Sequence, residues 1–140
     1  MQRRFALAAI LFAAAAPGVA CAAGPDASGI RYSADQAQQG KAVFGQRCVS
    51  CHGDDMTGGV GGGPPLTGEY FFGLWGEQPL SSVYSFIKSA MPEDNPGSLS
   101  NSQVTQVLAY ILEFNGFPAG SAEMAVGADQ VQGTLPASQP

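Results

Sequence analysis

Apolar residues recur at helical spacing in the last third of the chain. The stripe repeats with the 3.6-residue period of an α-helix and consists of Val104, Val107, Leu108, Ile111 and Leu112. Ser100, followed three residues later by Gln103, matches a capping box. We therefore predict a helix that begins near Ser100 and stops at Asn115-Gly116, where glycine favours a helix end.

Two further helices are predicted upstream by the same kind of pattern. Ser33 and Gln36 match a second capping box, which opens a helix through about Gln46. Gly40 lies on the apolar face of that helix, where the absence of a side chain would let another helix approach closely. A shorter helix is predicted near residues 80–89, because apolar residues follow Pro79, and proline suits a first helical turn.

The first 23 residues have the pattern of an export signal. Arg3 and Arg4 precede an apolar run over residues 5–16, and small residues follow through Ala23, as in a secretory signal peptide. Those twelve apolar residues are too few to span a bilayer comfortably, which takes about 20. We predict export to the periplasm with removal of residues 1–23. The alternative is an acylated Cys21 that anchors the chain to a membrane, although Gly18 stands where an aliphatic residue would be expected.

The net charge of the chain argues against two classes of binding partner. Without residues 1–23, four Lys and Arg remain against eleven Asp and Glu, a formal net charge of −7. Such an acidic chain without basic runs argues against nucleic acid and against an anionic membrane surface as partners.

Gly and Pro make up about a fifth of the chain, so it is rich in loops. A core built from side chains alone would be thin in a domain of this size, which suggests that another group fills the middle.

The remaining two cysteines belong to one short motif, Cys48-Val49-Ser50-Cys51-His52. Cys-x-x-Cys-His is the attachment signature of c-type haem, because two thiols about one helical turn apart can each add to a porphyrin vinyl group while the imidazole binds the iron. A structural zinc site needs four ligands, and a thioredoxin-like pair needs a preceding strand. Neither condition is met here, and His52 is the only histidine. We predict one haem c, attached through Cys48 and Cys51, with His52 as an iron ligand.

On these residues the chain resembles a class I, monohaem cytochrome c, and in particular the small periplasmic cytochromes that accept electrons from quinoprotein (PQQ) dehydrogenases. The similarity extends over about residues 33–120 and is most specific at residues 48–52, 63–68, 91–92, 96–100, 109–112 and 115–118. The resemblance implies an all-α fold, with three to four helices and glycine-rich loops around one covalently bound haem. It also implies that the first and last helices cross tightly, with Gly40 and Phe44 against Tyr110.

The resemblance also divides the chain into segments. Residues 24–32 form an N-terminal segment, residues 33–118 the cytochrome c domain, and residues 119–140 a tail. The tail has few periodic apolar residues and is rich in Gly, Ala, Ser and Pro, so an irregular or disordered segment is predicted. A tail that instead wraps the domain or docks on a partner is the open alternative.

The second axial ligand of the iron is sought among the methionines, because a single histidine excludes bis-histidine ligation within one chain. Met56 lies four residues after His52, too few to pass round the edge of the ring at about 3.6 Å per residue. Met124 lies in the tail. Met91 follows a predicted helix and matches the position of the family's ligand, so Met91 is the predicted ligand, and its thioether would raise the reduction potential.

Three other residues are candidates for the haem pocket. In the family, the proline of a Gly-Pro-x-Leu segment accepts a hydrogen bond from the proximal histidine, and this role falls on Pro64, with Leu66 packed on the ring. Trp75 is predicted either to donate its indole N–H to a haem propionate or to be an ordinary packed tryptophan. The glycines of residues 58–63 suit a close backbone approach to a flat cofactor, and no Gly-Lys-Ser/Thr follows that would indicate a phosphate loop.

A haem iron with six protein or porphyrin ligands leaves no open position for a substrate. We therefore predict an electron carrier and not an enzyme, which takes electrons from a dehydrogenase, such as a quinoprotein, and passes them to a respiratory acceptor or terminal oxidase. The alternatives are a haem enzyme or gas sensor in which Met91 dissociates, and a subunit in which the haem is only structural. Association with a basic partner surface should weaken with salt. The acidic residues beside the haem segments are candidates for this contact, or are ordinary solvated loop charges: Asp54, Asp55, Glu93 and Asp94.

Overall fold

The computed structural model describes residues 28–140. The predicted signal peptide and Cys21 lie outside this part. Residues 28–140 form five helices and no strand: α1 Ala34–Arg47, α2 Val49–His52, α3 Gly68–Trp75, α4 Leu80–Ala90 and α5 Asn101–Phe114. The predicted all-α fold is confirmed, although the number of helices exceeds the predicted three to four. Within these residues, no helix combines the length and the apolar character needed to cross a membrane.

The two predicted capping boxes are present. The Ser33 hydroxyl accepts from the Gln36 backbone N–H at 3.2 Å, and the Ser33 N–H donates to Gln36 Oε1 at 3.2 Å. Ser100 and Gln103 form the same pair of bonds at the start of α5. Each box satisfies donors that the first helical turn leaves without partners, so α1 and α5 begin where the sequence indicates.

Two helices were not predicted from the hydrophobic pattern. Helix α2 has only four residues, too few for any periodicity to be visible. Helix α3 begins at Gly68 and is dominated by aromatic residues, which have modest helix propensity. Two of its aromatic side chains, Phe71 and Phe72, are buried in the core, where their rings make an edge-to-face contact. Tertiary packing therefore accounts for a helix that local preferences do not reveal.

Helices α1 and α5 cross at close range. Gly40 lies against the α5 backbone, and a Cβ built on it would stand 1.8 Å from the carbonyl oxygen of Gln106. One turn further along α1, the Phe44 ring meets the Tyr110 ring edge to face, with centroids 5.5 Å apart. The contact between the first and last helices implied by the resemblance is confirmed. Glycine is the residue that permits this distance between the two backbones.

The tail is irregular and lies along the domain. Met124, Val131 and Leu135 are buried, and the tail forms two isolated bridges, Ser33 with Gly120 and Pro79 with Thr134. Of the alternatives that the sequence left open for residues 119–140, wrapping around the domain is the one observed.

Candidate functional site

An open cavity of about 260 Å³ lies between the helices. Side chains of α1, α3, α4 and α5 form its walls, together with the loops after α2 and α4. The cavity brings together all seven residues that the sequence predicted for the site: Cys48, Cys51, His52, Pro64, Leu66, Trp75 and Met91. These residues come from four segments of the chain and meet only in the folded state.

Helix α2 carries the two cysteines and the histidine. Cys48 ends α1 and begins α2, and its carbonyl accepts from the N–H groups of Cys51 at 3.1 Å and His52 at 2.9 Å. This single turn directs both cysteine side chains and the imidazole towards the same cavity. Both cysteines are free. Burial raises the pKa of the Cys48 thiol to about 11, and Arg47 opposes this shift, so the free thiol is protonated at neutral pH.

The orientation of His52 is set by one hydrogen bond. The ring is buried, and its Nδ1 lies 2.8 Å from the carbonyl oxygen of Pro64. A carbonyl oxygen only accepts hydrogen bonds, so Nδ1 carries the proton and Nε2 keeps its lone pair for a metal. The resemblance implied this contact. Such a bond fixes the plane of the imidazole and increases its basicity as an iron ligand.

Among the three methionines of the described residues, Met91 alone lines the cavity. It ends α4, where its N–H donates to the carbonyl of Ile87 at 3.1 Å. Met56 is completely buried in the core, and its carbonyl accepts from the Leu66 N–H at 2.8 Å. Met124 is a buried residue of the tail, and its backbone N–H and carbonyl exchange hydrogen bonds with the Gln36 side chain. Both are packing residues, which leaves Met91 as the thioether that faces His52's cavity.

The loop after Met91 is held by two cationic side chains. Lys88 donates to the carbonyl of Gly97 at 3.3 Å and to that of Leu99. Arg47, which also lines the cavity, donates to the Ser98 hydroxyl at 2.9 Å. The Arg47 bond connects the residue before Cys48 with the loop that follows Met91. These two segments carry the predicted ligands, so their separation is constrained by direct contact.

Most of the cavity wall is apolar, and part of it is the exposed surface of α3 and α4. Tyr70, Leu74 and Phe86 line the cavity and are 56%, 59% and 43% exposed. Trp75 is half-buried among them, with its ring centroid 5.4 Å from that of Phe86. Single exposed apolar residues are common, but a group around a cavity marks a binding site. Phe86 belongs to the helix predicted near residues 80–89, but the sequence did not place it at the cavity.

The donor set and the apolar wall fit a haem. Two thiols are available for covalent attachment, an imidazole and a thioether are available for the iron, and the exposed aromatic and aliphatic surface suits the faces of a porphyrin. The acidic residues named as a candidate contact patch divide into two groups. Glu93 and Asp94 line the cavity, whereas Asp54 and Asp55 lie in the turn after α2 and do not line it.

The family model described as "Cytochrome C oxidase, cbb3-type, subunit III" matches residues 35–111, more than half of the chain. This segment contains the Cys-x-x-Cys-His motif, Pro64 and Met91. It begins in α1 and ends within α5, so the match covers the whole wall of the cavity.

Two curated relatives and one solved structure are similar to parts of the chain. Thiosulfate dehydrogenase of Stutzerimonas stutzeri is 38% identical over 79 residues, which cover 52% of this chain and 25% of that protein. Cbb3-type cytochrome c oxidase subunit CcoP of Cereibacter sphaeroides is 31% identical over 103 residues, 64% of this chain and 34% of that protein. The chain thus spans a quarter to a third of these relatives. The crystal structure of the sulfane dehydrogenase SoxCD from Paracoccus pantotrophus matches with a TM-score of 0.52 and 27% identity, over 79% of this chain and 60% of that chain.

Proposed function

Since the chain belongs to the cytochrome c family described as cytochrome c oxidase, cbb3-type, subunit III, we propose that it is a periplasmic electron carrier between a dehydrogenase and a respiratory acceptor. The family binds haem c covalently, and Cys48, Cys51 and His52 supply the attachment motif in this chain. Electron transfer is the activity that this family supports. The direction of transfer, the location and the partners are parts of our proposal.

The observation that carries the proposal is the position of Met91. Met91 and His52 line the same cavity, together with both cysteines, so one haem held there could receive protein ligands on both sides of its iron. A haem ligated in this way supplies reversible one-electron chemistry and offers no open position to a substrate. The chain's own contribution is to hold the imidazole through Pro64, to keep the thioether at the end of α4, and to surround the ring with apolar side chains.

The proposed electron donor is a dehydrogenase. The names of the relatives add to the kinds of dehydrogenase that we consider. A quinoprotein was expected from the sequence. Two of the matched proteins are named as dehydrogenases of thiosulfate and sulfane sulfur, and the third as a subunit of a terminal oxidase. We include a dehydrogenase of reduced sulfur compounds among the donors and retain an oxidase or a second cytochrome as the acceptor. Glu93 and Asp94 line the cavity and would face a basic partner surface.

Visible spectroscopy of the purified, haem-loaded protein tests the proposal. We expect the ferric protein to show the weak red charge-transfer band of a methionine–iron bond, and the ferrous protein to bind carbon monoxide slowly. Met91→Ala should abolish the band and speed carbon monoxide binding. Met56→Leu, a volume-conserving change in the core, should leave both unchanged. Intact mass should report one covalent haem, the cleavage site and any acyl chain at Cys21.

Two results would contradict the proposal. Rapid carbon monoxide binding by the unsubstituted protein would favour a haem enzyme or gas sensor in which Met91 dissociates. A charge-transfer band that persists in Met91→Ala would show that another residue is the second axial ligand.

A further inference from the structure

The glycine loop, residues 58–63, is wrapped around the end of α2. Its N–H groups donate to the last carbonyls of the helix: Gly58 to His52 at 2.9 Å, Gly59 to Cys51 at 2.7 Å, Gly61 to Ser50 at 3.0 Å and Gly63 to Cys51 at 3.0 Å. The last carbonyls of a helix lack partners within the helix itself. Here one loop supplies donors to three consecutive carbonyls of the segment that carries the cysteines and the histidine.

Helix α2 depends on such outside support. It has four residues, and no side-chain hydrogen bond caps its start. A helix this short does not form by itself, since nucleation costs more than one turn of hydrogen bonds returns. The glycine loop supplies the missing bonds and therefore contributes directly to the position of Cys51 and His52.

Alternate residues of the loop face Cys51. A Cβ built on Gly59 or Gly63 would stand 2.8 Å or 2.7 Å from the Cys51 carbonyl oxygen. A Cβ on Gly61 would stand 2.7 Å from the Ser50 carbonyl oxygen and 2.8 Å from Cys51 Sγ. Such short contacts require one of the two partners to move. Between them, Val60 is fully exposed, whereas Gly62 lines the cavity. The loop therefore has an inner face, formed by Gly59, Gly61 and Gly63, that lies against Ser50 and Cys51.

The same loop leads directly to the residue that orients the imidazole. Gly63 is followed by Pro64, whose carbonyl oxygen lies 2.8 Å from His52 Nδ1. A displacement of the inner face away from Cys51 would therefore also disturb the hydrogen bond of the iron ligand. Contacts to Cys51 Sγ, to the α2 carbonyls and to the His52 ring all belong to one continuous stretch of chain.

We propose that Gly59, Gly61 and Gly63 are positioning residues that clamp the haem-attachment helix and keep water from the Cys51 side of the cofactor. A side chain on the inner face pushes the loop off α2 and opens that side to solvent. Water stabilises the more highly charged ferric state, so the reduction potential falls. The exposed residue Val60 has no such effect. This inference rests on haem c binding and is independent of the identity of the redox partners.

The test measures the midpoint potential and the thermal stability of the haem-loaded protein for three variants. For Gly61→Ala we expect a lower potential together with a lower melting temperature. Gly116→Ala is the matched control, because Gly116 has φ +87° and a Cβ there would meet nothing within 4 Å, so it adds backbone strain away from the cavity. It should lower the melting temperature and leave the potential unchanged. Val60→Ala should change neither quantity.

Each outcome decides for or against the clamp. If only Gly61→Ala fails to yield haem-loaded protein while Gly116→Ala succeeds, the contact with α2 is supported. If Gly61→Ala has the same potential as Val60→Ala, or if Gly116→Ala shifts the potential equally, the proposal is wrong. Failure of both glycine variants to bind haem would also overturn it, because a general loss of stability would then account for both. No redox partner enters the measurement, so these results leave the electron-carrier proposal untouched.

Discussion

Tyr32 shows how one residue outside the predicted domain joins its two ends. The side chain is 1% exposed, and its hydroxyl donates to the carbonyl of Phe117, beyond the end of α5. The Tyr32 carbonyl in turn accepts from the Gly120 N–H at 2.9 Å. Burial, assisted by the negative charge of Glu113, raises the pKa of Tyr32 from its ordinary 10.0 to about 12. The phenol is therefore held protonated by the fold.

This pKa predicts a loss of stability at alkaline pH. Between pH 10 and about 12 the folded phenol keeps its proton whereas the unfolded tyrosine releases it, so the folded state is destabilised as the pH rises. No stability is lost below pH 10, and the full loss above about pH 12 amounts to about 2–3 kcal/mol. Tyr32→Phe removes the titrating group and, at neutral pH, costs about 1 kcal/mol for the lost hydrogen bond.

Denaturant titrations of both proteins at several pH values check this expectation. The stability advantage of the unsubstituted protein over Tyr32→Phe should disappear, and then reverse, as the pH approaches 12. An advantage that stays constant from pH 9 to 12 would show that Tyr32 titrates as it does in the unfolded chain.

At the scale of the elements, the α1–α5 crossing is the contact that depends most clearly on one glycine. A Cβ on Gly40 would meet the carbonyl oxygen of Gln106 at 1.8 Å and the carbonyl carbon at 2.4 Å. Both are backbone atoms, so no side-chain rotation relieves the clash, and the helices must separate. Gly45 lies in the same helix, and a Cβ there would meet nothing within 4 Å.

Alanine at these two positions should therefore have opposite effects. Gly40→Ala should lower the free energy of unfolding by at least about 2 kcal/mol, because overpacking displaces two backbones. Gly45→Ala should raise it by up to about 1 kcal/mol, because alanine has the higher helix propensity. Chemical denaturation of the two haem-loaded variants provides the comparison. Equal changes in the same direction would argue against a close crossing.

At the scale of the whole molecule, the tail ties together elements that the helices leave separate. The Glu77 N–H donates to the Leu135 carbonyl at 2.9 Å, and the Leu135 N–H donates to the Gln78 carbonyl at 3.1 Å. The Thr134 N–H donates to the Ser28 backbone carbonyl at 3.0 Å. The tail thus connects the N-terminal segment with the turn between α3 and α4, and α3 forms part of the cavity wall.

Removal of the tail should destabilise the domain. A chain truncated after Gly120 loses the buried side chains of Met124, Val131 and Leu135, each of which contributes about 1.5–3 kcal/mol before the entropy of ordering the tail is subtracted. We expect a clearly lower melting temperature of the haem-loaded protein. Truncation of residues 138–140, which are exposed, is the control and should have little effect. Equal melting temperatures for the two truncated proteins would show that the tail does not stabilise the domain.

Several features could be predicted because their signals are local. The capping residues Ser33 and Ser100 lie three residues from their partners, and the attachment motif spans five consecutive residues. The stripe of α5 repeats within a single helix. Met91 was selected by elimination and by resemblance, and its place on the cavity wall agrees with that choice. The predicted segment boundaries and the roles of Pro64, Leu66 and Trp75 stay predictions.

Local signals could not reveal features that depend on contacts between distant residues. The sequence showed that glycines fill residues 58–63, but only the fold showed that alternate glycines face Cys51. Leu74 and Phe86 resemble ordinary core residues in the sequence, and their exposure at the cavity follows from the packing of α3 and α4. The tail lacks periodicity because it has no secondary structure of its own, and its buried residues are paired with α1 and with the turn before α4. The sequence alone therefore determined the haem-binding residue types and the main helices, whereas tertiary contacts decided the wall of the cavity and the support of α2, because those contacts join residues far apart in the chain.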